Sequence, residues 1–393
     1  MTNQGAIKHP RKLHRHELHA GIFHAMRAVS GFFKQNIVMS VALLAALLTT
    51  IAVPVDSEYL GYFDLKTLTC LFSVLCVVCA LKNVRFFYII AEKIIEKTKN
   101  ARLCVLTLVY ITFIGSMLIA NDMALLTFLP LGYFVLTRGK CEKYMAHTFI
   151  LQNIAANLGG MLTPFGNPQN LYIYSHYDIP TGEFMAIMSA PFLISIALIT
   201  VCCLVFIKSE PLTLETSGAT LPKKRTAVYL VLFALSILIV FRGIPYWIGL
   251  AVIPAALFFL DRKALGMVYY PLLCTFVFFF IFSGNMARID AVRSFFSFLM
   301  EKSALLTSTI SCQFISNVPS SILLSQFTDN YRELLVGVNI GGAGTLIASL
   351  ASLITFREYT SHNPTKTKQY VGLFSAYNFS FLAILTVSML FLI

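Results

Sequence analysis

The sequence predicts an all-α polytopic membrane protein built from two inverted repeats, each with a re-entrant hairpin and a broken transmembrane helix. Three observations predict it. The 393 residues are 57% hydrophobic and only 12% charged, whereas soluble domains carry about 25% charged residues. Two look-alike strings lie in opposite halves: Ala120-Asn121-Asp122 with Asn157-Leu158-Gly159-Gly160 downstream, and Ser316-Asn317-Val318 with Asn339-Ile340-Gly341-Gly342 downstream. Finally, the Lys and Arg residues give one consistent orientation only if both Asn-tipped segments turn back on themselves.

Residues 1–36 read as a basic cytoplasmic tail followed by an amphipathic segment. Phe23, Met26, Val29, Phe32 and Phe33 share its apolar side, with Arg27 and Lys34 opposite. The tail's His14, His16, Glu17, His19 and His24 lack metal-site spacing and read as a solvated cluster. The first apolar run begins near residue 37, so it should anchor the chain rather than be cleaved as a leader.

The first repeat spans 37–207. It holds crossings at 37–53 and 64–82, an amphipathic stretch at 85–100, a hairpin at 103–136, a long helix at 145–175 broken near 166–170, and a crossing at 186–207. A polar linker at 208–226 carries Lys223-Lys224-Arg225. The second repeat, 227–393, begins with crossings at 227–241, 247–260 and 267–285. An amphipathic stretch at 287–301, a hairpin at 304–328, a broken helix at 334–356 and a crossing at 369–392 follow. Runs of about 18 apolar residues suffice to span a bilayer core of about 30 Å.

The orientation can be counted. With the N-terminus inside and both hairpins re-entrant, 24 of the 30 Lys and Arg face the cytoplasm and 6 face out. If either hairpin crossed fully, every later loop would change sides and the bias would collapse. The same count places the C-terminus outside and brings the hairpins in from opposite faces; the expected location is the plasma (inner) membrane. The net charge of +12 is thereby assigned to loops beside a lipid bilayer and not to nucleic acid.

Irregular backbone at membrane depth is tolerated only where protein or a cavity surrounds it, so tips and breaks together mark one central site. Gly166, Asn167, Pro168 and Asn170 break the first long helix: Pro removes a donor, Gly admits unusual dihedrals, and freed groups can face a ligand. Half-helix N-termini suit anions, while freed carbonyls at C-terminal ends suit Na+. Asn121 and Asn317 each offer a donor and an acceptor. Asp122 is the acidic residue in the apolar part of a hairpin, where a carboxylate costs about 2.5–3.5 kcal/mol on insertion scales. Its expected roles are proton carrier or cation ligand, with capping of the second hairpin helix as the alternative. The expected substrate-binding set is Asn121, Asp122, Gly166, Asn167, Pro168, Asn170, Ser316, Asn317 and Ser349. Asn121, Asp122 and Asn317 are the expected ligands of a coupling Na+ or H+, and no other cofactor is implied. Gly159-Gly160 and Gly341-Gly342 read as close-packing positions. Ser283-Gly284-Asn285 is a weaker candidate for the cavity wall. The nine cysteines read as buried fillers, and no phosphate-binding Gly loop or nucleophile elbow supports an enzyme.

At the string Gly160-Met161-Leu162-Thr163-Pro164-Phe165-Gly166-Asn167-Pro168-Gln169-Asn170 and its mate from Asn339 to Ser352, the chain resembles the ion transporter superfamily. The likeness is to its citrate-transporter-like and anion permease branch, which includes divalent anion–sodium symporters and arsenite permeases. The resemblance implies a scaffold and a moving transport domain, an elevator movement, and a homodimer. Dicarboxylate members resemble one another in a Ser-Asn-Thr tip on both hairpins. Here the tips lack both Thr hydroxyls and gain a carboxylate, which looks more like the arsenite permease and antiporter side. The expectation is a secondary active transporter of a small anion coupled to H+ or Na+. An Na+/H+ antiporter titrating Asp122, an arsenite-type permease and a channel are the alternatives.

Overall fold

A computed structural model describes residues 31–33, 36–212 and 220–393. The basic tail, its His cluster and most of the amphipathic segment expected over 1–36 lie outside the described residues, as do 213–219 of the linker. The rest is helical, and an isolated bridge between Asn100 and Pro211 is the β pairing among the described residues.

The first half runs through α1 (Ile37–Ala52), α2 (Leu65–Asn83), short α3 (Phe86–Ile95), the pair α4 (Ala101–Ile119) and α5 (Asn121–Arg138), the pair α6 (Met145–Gly159) and α7 (Pro168–His176), and α8 (Thr181–Phe206). The second half opens with α9 (Lys223–Val240), α10 (Tyr246–Leu260) and α11 (Arg262–Gly266). It continues with α12 (Tyr270–Ala287), short α13 (Asp290–Lys302), the pair α14 (Ala304–Ile315) and α15 (Asn317–Leu324), the pair α16 (Tyr331–Ile340) and α17 (Leu350–His362), and α18 (Thr367–Leu392). From α2 and from α12 onward the order is the same: long helix, short helix, helix pair, helix pair, long helix. Five described helices are long and apolar enough to cross a bilayer: α2, α4, α8, α12 and the stretch Pro364–Leu392. The molecule is an integral membrane protein.

The ends of these helices follow from side chains that replace missing backbone partners. Asp64 accepts from the amide of Thr67 at 2.9 Å to start α2, and Asn100 accepts from Leu103 at 2.8 Å to start α4. Ser303 starts α14 in the same way, and Asn330 starts α16 with Glu333 reaching back to its amide side chain. In the loop before α2, Asp56 pairs with Arg288 at 2.6 Å, and that guanidinium holds the Asp56 carboxyl below its usual range.

The first long helix breaks earlier than expected. It does not stop at 166–170 but ends at Gly159, passes through a 3-10 turn at Gly160–Leu162, and restarts at Pro168. Proline is favoured at the first helical position because its missing N–H is unpaired there anyway. Pro168 therefore opens the second half-helix, and the Gly pair closes the first. The unequal Asn-to-Asn spacing, 36 residues in one half and 22 in the other, comes mainly from the return limb of the helix pair. That limb is 18 residues in α5 and 8 in α15.

The helices pack as two groups. In one, α1 lies on α12, and α2 lies on α9, α10 and α11. In the other, α4–α7 and α14–α17 interlock, flanked by α8 and α18. The groups meet where α15 packs on α12 and α7 on α2. Ion pairs from Asp178, in the turn after α7, to Lys66 (3.3 Å) and Arg242 (3.1 Å) clasp them together at one end. Seven of the nine cysteines are buried, all nine are free, and none is needed for cross-linking.

Close packing of α4 on α6 depends on Gly159. A Cβ there would lie 2.3 Å from the Phe113 carbonyl oxygen and 2.8 Å from Ser116 Oγ. Gly159→Ala should lower stability by about 1–3 kcal/mol through overpacking. Gly372→Ala, which meets nothing within 4 Å, should leave it unchanged or raise it. Thermal unfolding of the purified protein in detergent checks the pair.

Candidate functional site

The pairs α4–α5 and α14–α15 each turn at a single strained residue. Ala120 has φ 65° and ψ 150°, and Ser316 has φ 74° and ψ 158°. This corner of backbone space is nearly reserved for glycine and costs on the order of 1–3 kcal/mol for other residues. The next residue is Asn in both halves, and both behave alike. Asn121 Oδ1 accepts from the amide of Asp122, and Asn317 Oδ1 from the amide of Val318, both at 2.9 Å. The Asn121 amide donates to the Gly166 carbonyl at 3.0 Å, and the Asn317 amide to the Ala348 carbonyl at 2.9 Å. Each tip is thus docked on the break of its own half.

The breaks are satisfied by side-chain amides. Asn170 Nδ2 donates to the carbonyls of Gly160, Met161 and Thr163, each at 3.2 Å. Gln313 does the equivalent work in the second half. Its Nε2 donates to the carbonyls of Gly341 (2.9 Å) and Ala343 (3.1 Å), and its Oε1 accepts from the Thr345 amide at 2.9 Å. Gly344, at φ 123°, leaves room for it: a Cβ would sit 2.1 Å from Gln313 Oε1. Ser349 caps α17 by accepting from the Ser352 amide at 3.2 Å.

The Asn of each Asn-x-Gly-Gly string then reaches into the other half. Asn157 accepts from Asn121 Nδ2 at 3.1 Å and donates to Ser349 Oγ at 3.1 Å. Asn339 donates to Asn170 Oδ1 at 2.6 Å and accepts from Asn167 Nδ2 at 3.2 Å and Gln169 Nε2 at 3.4 Å. Both residues are 2% exposed or less, so these bonds are made without water.

A cavity of about 1030 Å³ lies against this cluster. Of the residues expected from the sequence, Asn121, Asp122, Pro168, Ser316 and Asn317 line it. Gly166, Asn167, Asn170 and Ser349 lie behind them as its frame, with Gly166 packed against the backbone of Gly160. Asp122 does not cap α5: it makes no cap hydrogen bond, and its own amide is taken by Asn121. Among the described residues its buried Oδ1 has no hydrogen-bond partner, nor has Oε1 of the cavity residue Gln169. Two acceptors without donors, beside one cavity, can hold a cation or a proton. Among the described residues no three His, Cys, Asp or Glu side chains form a metal cluster. Ser283 and Gly284 line a separate pocket of about 150 Å³, not the main cavity.

Sequence reasoning missed Gln169, Gln313, Asn157 and Asn339 as parts of the site. The signal was present as polar amides in apolar runs, and two of them head the repeated Asn-x-Gly-Gly string. Crossing helices around paired hairpin tips that face one cavity define a membrane transport protein. The chain belongs to the citrate transporter family, whose pattern it matches over residues 30–331. It is similar to the uncharacterized transporter MJ0456 of Methanocaldococcus jannaschii, 32% identical over 320 residues covering 81% of this chain and 87% of that one. It is also similar to the inner membrane protein YbiR of Escherichia coli, 29% identical over 283 residues covering 69% and 74%. The protein is a transporter rather than an enzyme.

Removing one cross-link should loosen both halves. Asn157→Ala leaves Asn121 Nδ2 without this partner, at a cost of about 1–3 kcal/mol. Lower thermal stability than wild type, with Asn157→Asp intermediate, is the expected outcome of a melting series.

Proposed function

We propose that the protein is a secondary active transporter of a small anion, a carboxylate or an inorganic anion, coupled to H+ or Na+. The observation that carries this reading is the convergence of both Asn tips on one cavity beside the partnerless acceptors of Asp122 and Gln169. Asn121, Ser316 and Asn317 then bind the anion, and the oxygens of Asp122, Gln169 and the two tip Asn side chains hold the coupling ion. The matching element order and tip geometry support two inverted repeats, with the N-terminus cytoplasmic and the C-terminus outside the plasma membrane. The two packing groups support an elevator movement, α4–α8 and α14–α18 travelling against α1, α2 and α9–α12. A homodimer follows the family resemblance.

A second reading is an Na+/H+ antiporter in which Asp122 titrates; the unpaired Oδ1 favours it over an arsenite-type permease. The two separate in proteoliposomes. Asn317→Ala and Asp122→Ala should each reduce anion uptake at least about tenfold while the proteins still elute as folded species. Normal uptake in both variants would sink the site assignment. Proton movement driven by a sodium gradient without any anion would favour the antiporter.

The Asp178 clasp should open in every cycle if the two groups slide. Exposed ion pairs contribute about 0.2–1 kcal/mol. Asp178→Ala should therefore shift the balance of inward- and outward-facing states by up to about fivefold, read by accessibility of a cysteine placed beside the cavity. An unchanged balance would speak against sliding at this contact.

A further inference from the structure

We infer that Arg357 pairs with the anionic group of the substrate, and that this substrate is an organic acid with one carboxylate and an apolar body. The inference rests on the anion-transport reading above and narrows it. Arg357 belongs to the half-helix that follows the second break. It lines the cavity together with Leu350 and Leu353, three residues whose spacing places them on one face of α17. Arg357 and Asp122 are the charged residues among those lining the cavity. The guanidinium makes no ion pair or hydrogen bond with any described residue and is exposed. Tyr269, another lining residue, lies within electrostatic reach of both Arg357 and Asp122. An Arg without a partner on a cavity wall can dock a carboxylate, because its planar fork matches it in two parallel bonds.

The remainder of the wall decides the class of acid. Phe279, Phe282, Leu299, Leu323 and Leu353 make it apolar, and about 1030 Å³ is far larger than an inorganic anion. A compact tricarboxylate would bring three charges to one cation, while a coupling ion at Asp122 offsets that residue's own charge. Two of its charges would be left without compensation in an apolar site, which is costly. A monocarboxylate with an alkyl or aryl body leaves no such remainder. Its charge meets Arg357, its body covers the Phe and Leu side chains, and the Asn tips serve the remaining lone pairs.

The experiment measures binding of hexanoate, benzoate, citrate and the neutral hexanamide to the full chain in nanodiscs. It compares wild type, Arg357→Gln and Arg357→Lys, with uptake of the same compounds in proteoliposomes. Wild type should bind hexanoate or benzoate about tenfold or more tighter than citrate, and hexanoate tighter than hexanamide. Arg357→Gln should lose the preference for hexanoate over hexanamide, and Arg357→Lys should restore part of it. A purely structural role for Arg357 would weaken acid and amide alike and would overturn the assignment. So would tighter binding of citrate, wild-type affinity in Arg357→Gln, or no binding of either monocarboxylate. Citrate uptake that still depends on Asn317 would overturn this inference and leave the anion transporter standing. Sodium–proton exchange with no anion bound would overturn both.

Discussion

Backbone groups freed by a helix break inside a membrane must find partners without water, and the rest of the structure depends on how this chain meets that constraint. Two breaks and two hairpin tips would otherwise leave many carbonyls and amides bare. Asn170 and Gln313 each cover two or more carbonyls of the break in their own half. The tip amides of Asn121 and Asn317 cover one more each. Asn157 and Asn339 then tie the breaks of the two halves to one another. Because these amides link tips and breaks in both halves, the cluster is one unit. A tip cannot move without its break, nor one half's break without the other's. That is the property a body moving through a bilayer with its binding site intact would need.

The strain at Ala120 and Ser316 belongs to the same design. Glycine would adopt this backbone freely, but it would also adopt others. A residue with a Cβ is held there only while the docking bonds of the next residue, to Gly166 in one half and Ala348 in the other, persist. The strained tip and its dock therefore define each other, and the Asn side chain is delivered to the cavity in one orientation. Ser316 adds a second bond from its hydroxyl to the Ala348 carbonyl at 3.3 Å; Ala120 has none, and its tip is secured instead by Asn157.

The all-helical membrane architecture was legible in the sequence because apolar length is a local signal, whereas the cap residues were not read in advance. Asp64, Asn100, Ser303 and Ser349 mark helix starts that composition alone would blur. The hairpin tips were legible because an Asn within an apolar run is costly unless it meets a polar partner or a cavity. The break was misplaced because Pro168 reads equally as a stop and as a start, and only its neighbours decide. The partners Gln313, Asn157 and Asn339 could not be assigned, since which amide reaches which partner depends on residues up to 192 positions apart in the chain. Arg357 was counted only as a loop charge, because its place on the cavity wall emerges once α17 is folded against the hairpins. Ser283 was wrongly joined to the main cavity for the same reason: its helix, α12, touches both pockets on different faces.

The two halves share a scaffold of amides but differ in what they present to the cavity. The first half presents Asp122 and Gln169, both with an acceptor lacking a donor. The second presents Val318 at the position of Asp122, a hydroxyl at Ser316, and Arg357 from its broken helix. Acceptors without donors attract a cation or proton, and a guanidinium without a carboxylate attracts an anion. On the proposed function, coupling follows from this division. An anion on Arg357 alone brings a second negative charge toward Asp122, and a cation or proton on Asp122 removes that repulsion. Each ligand then binds more tightly when the other is present, and by linkage the effect is reciprocal. The symmetry of the amides holds the two sites at a fixed separation, and the asymmetry of the charges makes their occupancies depend on each other.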